Sequence, residues 1–450
     1  MNKQVTYTGI KTNKGRPRLW IEGVKLAAAG FTRGLRYTPI FKDDALVLEL
    51  NENGSHKVSG RTRNGKDIPI IDLNLSELFD FFGEGVRVRA VFTCNKITIT
   101  LHHEEEAQKK REQQLINNIK AGQLKEASIC TGGAISTTAI HDGLNDAGIV
   151  GELCWVVDSE IKYLQSAAKN SWAITDSTAF YVGKIEEVEQ KFLTNVDLLS
   201  FSMPCAGLST AGKSKHKLKP EEHEGATSLF GVVNAIKSAN PAILVSENVT
   251  EAYGSPMYLL LISELKRLGY KVMDRILDSE DTGTFENRAR YWFIAVSNGV
   301  ADGLSFDMGQ VLLRSRTVAD FLERDVPEHH WAENEYLKSK AVKDKEAGKG
   351  FKRQLLQGHE NKVGTIGRHY AKKRSTEPFL VRPDGKERLF TPVEHARFKS
   401  IPESLIDGVP MTNAHQILGQ SIDYLQAYLP IMSLIEQLKE KIWLQQPITI

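Results

Sequence analysis

Four short stretches of this 450-residue chain place reactive side chains directly after apolar runs. In Asp197–Ser209, DLLSFSMPCAGLS, an apolar strand stops at Met203-Pro204-Cys205. The Cys205 thiol therefore falls in a loop at a strand's carboxyl end, where open α/β sheets build their sites. Lys213, Lys215 and Lys217 follow closely, and cations beside a thiol favour the thiolate. In Ala242–Val249, AILVSENV, a second run ends on Glu247 and Asn248. A carboxyl there projects into the same crevice, or serves as an acid at the next helix N-terminus. In Gly283–Val296, GTFENRARYWFIAV, Arg288 and Arg290 lie two apart before a strand. That spacing puts both on one side, either entering the crevice or standing exposed. In Ile129–Ser136, ICTGGAIS, Gly132 and Gly133 follow an apolar run. Glycines let a ligand approach the backbone at a helix N-terminus, although a Gly-Gly alone is only a turn. A thiol, a carboxyl group and paired cations near a ligand loop are the parts of covalent catalysis assisted by an acid.

Taken in order, these stretches resemble the DNA cytosine-5 methyltransferase family. Pro204-Cys205 is similar to its nucleophile loop and Ser209 to its closing serine. Glu247-Asn248-Val249 is similar to its Glu-Asn-Val, and Glu286-Asn287-Arg288-Ala289-Arg290 to its Gln-x-Arg-x-Arg with the glutamine replaced. Arg388–Arg397, RLFTPVEHAR, is similar to its Arg-x-Leu-Thr-x-x-Glu-x-x-Arg, and Gly419-Gln420-Ser421-Ile422 to its late Gly-Asn-Ser-Val. The resemblance covers about residues 124–441 and implies S-adenosylmethionine as donor and double-stranded DNA as partner. Cys205 would attack carbon 6 of cytosine and Glu247 would hold and protonate nitrogen 3. Arg288 and Arg290 would bind the base oxygen or support the catalytic loop. The cofactor residues implied are Cys130, Thr131, Gly132, Gly133, Asp158, Ser159, Pro204, Leu229, Gln420 and Ser421. The family's first loop has phenylalanine where Cys130 stands, and its adenine-contacting aspartate aligns near Gly183-Lys184-Ile185, where there is no acid. The DNA contacts implied are Ser209, Lys213, Arg368, Lys372, Lys373, Arg374 and Arg388. The same resemblance admits a tRNA cytosine-5 methyltransferase or a catalytically silent DNA-binding regulator. The retention of Cys205, Glu247 and Arg288 favours an enzyme.

The elements that must position these residues can be read coarsely. Between Glu126 and about Asn298, apolar runs at 127–130, 153–157, 196–201, 242–245, 272–277 and 291–296 alternate with helical stretches. This predicts a parallel sheet with helices on both faces. The expected class is α/β: a Rossmann-like catalytic domain over 126–299 and 387–450, with a target-recognition domain over 300–386. Lys338–Lys386 holds 14 Lys/Arg against 5 Asp/Glu, a balance suited to a polyanion or to a solvated basic face.

Residues 1–101 read as a small β-rich domain with an internal repeat. An offset of 51 aligns Phe31 with Phe82, Gly34 with Gly85, Arg36 with Arg87 and Phe41 with Phe92. The pattern resembles a duplicated swapped-hairpin barrel of the AbrB and SymE-like type, whose arginines (Arg33, Arg36, Arg61, Arg63, Arg87, Arg89) would touch phosphates. Residues 102–125 read as a charged helical connector. The charged fraction is 25% and the hydrophobic fraction 41%, ordinary for a soluble protein. No apolar core follows the N-terminus and no run suits a bilayer, so a cytoplasmic, nucleoid-associated protein of bacterial or phage origin, monomeric on DNA, is expected. The four cysteines form no CxxC pair, so no metal site is expected.

Overall fold

The computed structural model describes residues 3–204, 224–309, 311, 315–348 and 353–444. Cys205, Ser209 and Lys213 lie outside the described residues. The chain divides into two compact units, Met1–Lys110 and Arg111–Ile450.

The first unit is built from two-residue hairpins. β1 (Gln4–Asn13) and β2 (Arg16–Glu22) form one, β3 (Arg36–Lys42) and β4 (Ala45–Leu50) a second. After the short β5 (His56–Lys57), β6 (Ser59–Arg63) with β7 (Lys66–Leu73) and β8 (Arg87–Thr93) with β9 (Lys96–Leu101) complete the set. Their turns hold Lys14, Asp43, Asn64 and Asn95 at φ of 50°, 51°, 51° and 58°, the left-handed twist that two-residue hairpins demand. β3–β4 and β8–β9 repeat at the expected offset of 51. The strand order is β5-β3-β4-β9-β8-β1-β2-β7-β6. Only Val58 separates the two edge strands, so the sheet curls into a nearly closed barrel around Leu19, Leu48, Ile71, Val88 and Ile99. Five of the six arginines expected at phosphates have local partners. Arg33 pairs with Asp67, Arg61 with Glu22 and Arg87 with Glu105; Arg36 donates to the Gly54 carbonyl and Arg89 to Thr100.

The expected connector is a helix only over His103–Lys120, and its end already belongs to the second unit. Arg111, Leu115 and Ile119 are buried there, and a sheet strand begins at Gln123. The second unit's sheet comprises β10 (Gln123–Ile129), β11 (Val150–Asp158), β12 (Ala179–Val182), β13 (Leu198–Phe201), β14 (Ile243–Asn248), β15 (Tyr270–Leu277) and β16 (Arg290–Ser297). Every predicted apolar run is one of these strands, though the sheet is not wholly parallel. The order is β12-β11-β10-β13-β14-β16-β15, with β16 antiparallel to both neighbours. Alternate residues serve opposite faces: Leu198, Ile243 and Ile294 on one, Leu199, Leu244 and Phe293 on the other. The chain winds outward in both directions from β10 and β13, which makes their adjacent carboxyl ends the topological switch point.

The region expected to recognise the target forms a smaller sheet of β17 (Gln354–Leu356), β18 (Pro378–Val381) and β19 (Glu387–Arg388). Its core joins Val318, Leu356, Ile366 and Tyr370 to Phe285, Phe390 and Phe398. The boundaries therefore shift from 300–386. Val300, Leu304 and Met308 pack into the catalytic core, while Phe390 and Phe398 belong to the recognition core.

Candidate active site

A cleft opens at the switch point. Its larger lobe, about 350 Å³, is lined by the β10 loop (Cys130–Gly133), Asp158–Glu160, Ser202–Pro204, Glu247, Arg368 and Gln420–Ile422. A smaller lobe of about 230 Å³ shares Cys130, Asp158, Ser159 and Pro204 and adds Gly183–Glu186, Gly225 and Ser228. Together they match the size of a pocket for an elongated small molecule.

β13 leads into Met203 and Pro204, which line the cleft wall directly before Cys205 in sequence. Asn248 fixes that approach: its side-chain amide donates to the Met203 carbonyl at 2.8 Å and lies 2.9 Å from the Tyr258 hydroxyl. Glu247, on neighbouring β14, receives the Ser202 hydroxyl on Oε1 at 3.0 Å. Its Oε2 is buried, with no hydrogen bond among the described residues and the Arg290 Nε at 3.7 Å. β16 runs antiparallel, so its first residue, Arg290, stands at the carboxyl end of β14, where Tyr291 pairs with Asn248. An arginine at a strand start reaches the crevice only because of that reversal.

The glycine loop is organised by Asp158. Gly132 N–H donates to its Oδ2 at 2.7 Å and Glu160 N–H to its Oδ1 at 2.8 Å. Burial raises the Asp158 pKa, and those two amides oppose the shift. Cys130, Gly132 and Ala134 adopt φ of 58°, 56° and 59°, a conformation costly for a side chain and sustained by surrounding contacts. Gly133 admits no Cβ, which would overlap the Ile417 side chain. Cys130 is open to the cavity, yet dense protein around it, with Asp158 and Glu186 nearby, pushes its thiol up to about 12. It stays protonated at neutral pH, which makes it a poor nucleophile.

Arg288, expected either to bind the base oxygen or to support the catalytic loop, does not line the cleft. It is buried, 3.2 Å from Glu286 Oε1, and donates to the Gly419 carbonyl at 3.0 Å. The buried Lys399 donates to the Leu418 carbonyl and lies 3.8 Å from Glu286. Burial, with Arg288 next, lowers the Lys399 pKa well below its ordinary value, and Glu286 opposes this. Leu418 and Gly419 end the helix Met411–Gln420, whose last carbonyls lack partners within the helix. Arg288 and Lys399 satisfy them, and so fix Gln420 and Ser421 in the cleft wall.

Cys130, Thr131, Gly132, Gly133, Asp158, Ser159, Pro204, Gln420 and Ser421 thus meet around one cavity. Leu229 does not line it; it packs on the apolar core, and neighbouring Ser228 lines the smaller lobe instead. Arg388 is a further correction: its guanidinium is buried, bidentate to Glu394 at 2.6 and 2.7 Å, and unavailable to DNA. Lys372, Lys373 and Arg374 are exposed. Arg368 lines the cleft. Sequence reasoning missed Glu186, which supplies the smaller lobe with an acid just past the Gly183–Ile185 segment where one was sought. It also gave Asn248 no role, although the residue stood in a quoted motif.

A family model described as C-5 cytosine-specific DNA methylase matches residues 137–428. The Type II methyltransferase M2.ScrFI of Lactococcus lactis subsp. cremoris is 28% identical over 251 residues, 53% of this chain and 67% of that protein. The Type II methyltransferase M.MspI of Moraxella sp. is 24% identical over 244 residues, 53% of this chain and 56% of that protein. The crystal structure of S. pombe Dnmt2 methyltransferase superposes with a TM-score of 0.54 at 19% identity, covering 70% of this chain and 99% of the other, a likeness of fold.

Proposed function

The chain belongs to the C-5 cytosine-specific DNA methylase family, and from that premise we propose that it methylates carbon 5 of a cytosine in duplex DNA, using S-adenosylmethionine. The observation that carries this reading is the half-satisfied Glu247 beside Ser202: one carboxyl oxygen is held by the Ser202 hydroxyl and the other is buried with no hydrogen bond among the described residues. Such an oxygen, when it carries the carboxyl proton, can donate to the bare ring nitrogen 3 of a flipped cytosine.

Carbon 5 of cytosine is a poor nucleophile. Addition of the Cys205 thiolate to carbon 6, with Glu247 holding a proton at nitrogen 3, makes carbon 5 enamine-like. When bound, S-adenosylmethionine supplies an electrophilic methyl group on a sulfonium. Loss of the carbon 5 proton then expels the Cys205 thiolate and restores the ring. The lining fits such a donor: a glycine loop with close backbone approach, the Asp158 carboxyl shared by both lobes, and Glu186 at the far end. The basic recognition region, with Lys372, Lys373 and Arg374 exposed, supports duplex DNA as substrate, phosphates being its natural counter-charge. The barrel of residues 1–101 is assigned as an AbrB-like accessory that adds phosphate contacts.

The test is a duplex carrying 5-fluorocytosine in place of the target base, incubated with the protein and S-adenosylmethionine. A stable protein–DNA adduct is expected, because fluorine blocks the final elimination. Bisulfite sequencing of DNA from cells expressing the protein identifies the target beforehand. Absence of an adduct on that confirmed site overturns the covalent mechanism.

A further inference from the structure

The steps assigned to Cys205 and Glu247 leave the cleft's described cation without a role. Among the described residues lining the larger lobe, Arg368 is the sole lysine or arginine. We propose that Arg368 receives the carboxylate of the donor's amino-acid tail, and is not a DNA contact; this rests on the cofactor reading above.

The position of Arg368 is built into the fold. The preceding residue, Gly367, packs its backbone against Gly419, where no Cβ fits. The Gly367 amide is also held by the buried Glu377 carboxyl. Two residues on, Tyr370 is fully buried and donates to the Pro378 carbonyl at 2.7 Å. A recognition-region arginine is thereby fixed beside Gln420 and Ser421 at the cleft.

Its guanidinium has no hydrogen-bonded carboxylate among the described residues. Arg368 Nη2 stands 4.0 Å from Glu160 Oε1, beyond hydrogen-bond length, and its guanidinium lies 5.7 Å from the Tyr163 ring centre. Glu160 is also shared with Lys162, 3.7 Å from its Oε2. Glu160 is thus divided between two cations and makes no hydrogen bond to Arg368 among the described residues. The planar fork of arginine matches a carboxylate in two parallel hydrogen bonds. Asp158 borders both lobes whereas Arg368 borders only the larger. A nucleoside seated at Asp158, with its base toward Glu186, therefore extends its amino-acid tail into the lobe that holds Arg368.

The experiment is calorimetric titration of the full chain with two probes: S-adenosylhomocysteine, and 5′-methylthioadenosine, which has the same nucleoside thioether without the amino-acid tail. Arg368→Ala should weaken S-adenosylhomocysteine by about 10- to 100-fold, the range for a lost charged hydrogen bond, and leave methylthioadenosine unchanged. Arg368→Lys should restore part of the loss. Equal weakening of both probes would mean general pocket damage and overturn the assignment. Unchanged S-adenosylhomocysteine affinity with weakened duplex binding would overturn it in favour of a phosphate contact. Failure of the unsubstituted protein to bind S-adenosylhomocysteine would remove the cofactor reading itself, and the inference with it.

Discussion

The two units handle charge in opposite ways. Among the described residues, no charged side chain of Met1–Lys110 is buried, whereas the second unit buries Glu286, Arg288, Glu394, Lys399 and Asp423. The first unit's ion pairs, such as Arg61 with Glu22, sit at the surface. A core assembled by repeating apolar hairpins needs no interior ions, and surface pairs of that kind contribute little. Interior ions cost desolvation that their attraction barely offsets. Their concentration behind the wall that carries Gln420 and Ser421 indicates positioning, and it separates a scaffold from a working site.

The first way to break this comparison is at the nucleophile. Cys205→Ser should abolish methyl incorporation, measured with labelled donor, while gel-shift affinity for duplex DNA persists; residual turnover would move the nucleophile elsewhere. Next is a matched pair of arginine removals read by urea unfolding. Arg288→Ala should destabilise by about 3–5 kcal/mol, since it leaves Glu286 buried with less compensation. Arg61→Ala should cost less than about 1 kcal/mol. Equal costs would erase the distinction between the units. Glu247→Gln keeps size and the Ser202 contact but cannot deliver the proton. It should slow turnover by about 10²-fold with unchanged DNA affinity, and near-normal turnover would take the acid role away from Glu247.

Smaller effects sharpen the contrast further. Burial pushes Glu377 from its ordinary 4.5 up to about 7. The folded chain thus holds a proton there that the unfolded chain releases. This contribution is present below pH 4.5 and lost as pH rises to 7, roughly 2–3 kcal/mol across the window. Glu377→Gln should flatten that segment of the stability profile; an unchanged slope would assign it to other groups. In the first unit, Lys14, Arg16, Arg63 and Lys66 are exposed at two hairpin ends. Changing all four to glutamine should make the salt dependence of DNA binding shallower by about one or two units of slope, with the same methylated sequence. An unaltered slope would point the barrel toward a protein partner.

Much of the molecule was legible in the linear chain because its signals are local. Apolar runs marked six of the seven strands of the catalytic sheet, the short β12 excepted, the offset of 51 marked the hairpin repeat, and strand ends marked the segments carrying Cys205 and Glu247. Strand direction was not legible: an apolar pattern reads the same either way, so the reversal of β16, which brings Arg290 to the crevice, depends on its pairing with Asn248 at one end. The fate of individual arginines was not legible either. Arg388 and Arg368 carry the same charge in the same basic stretch. One is buried because a helix begins at Pro392 and turns Glu394 back onto it. The other borders the cleft because Gly367 and Gly419, far apart in sequence, pack backbone to backbone. Composition fixes how many charges a region holds; which of them meets a ligand is decided by the long-range packing that determines which are left facing open space.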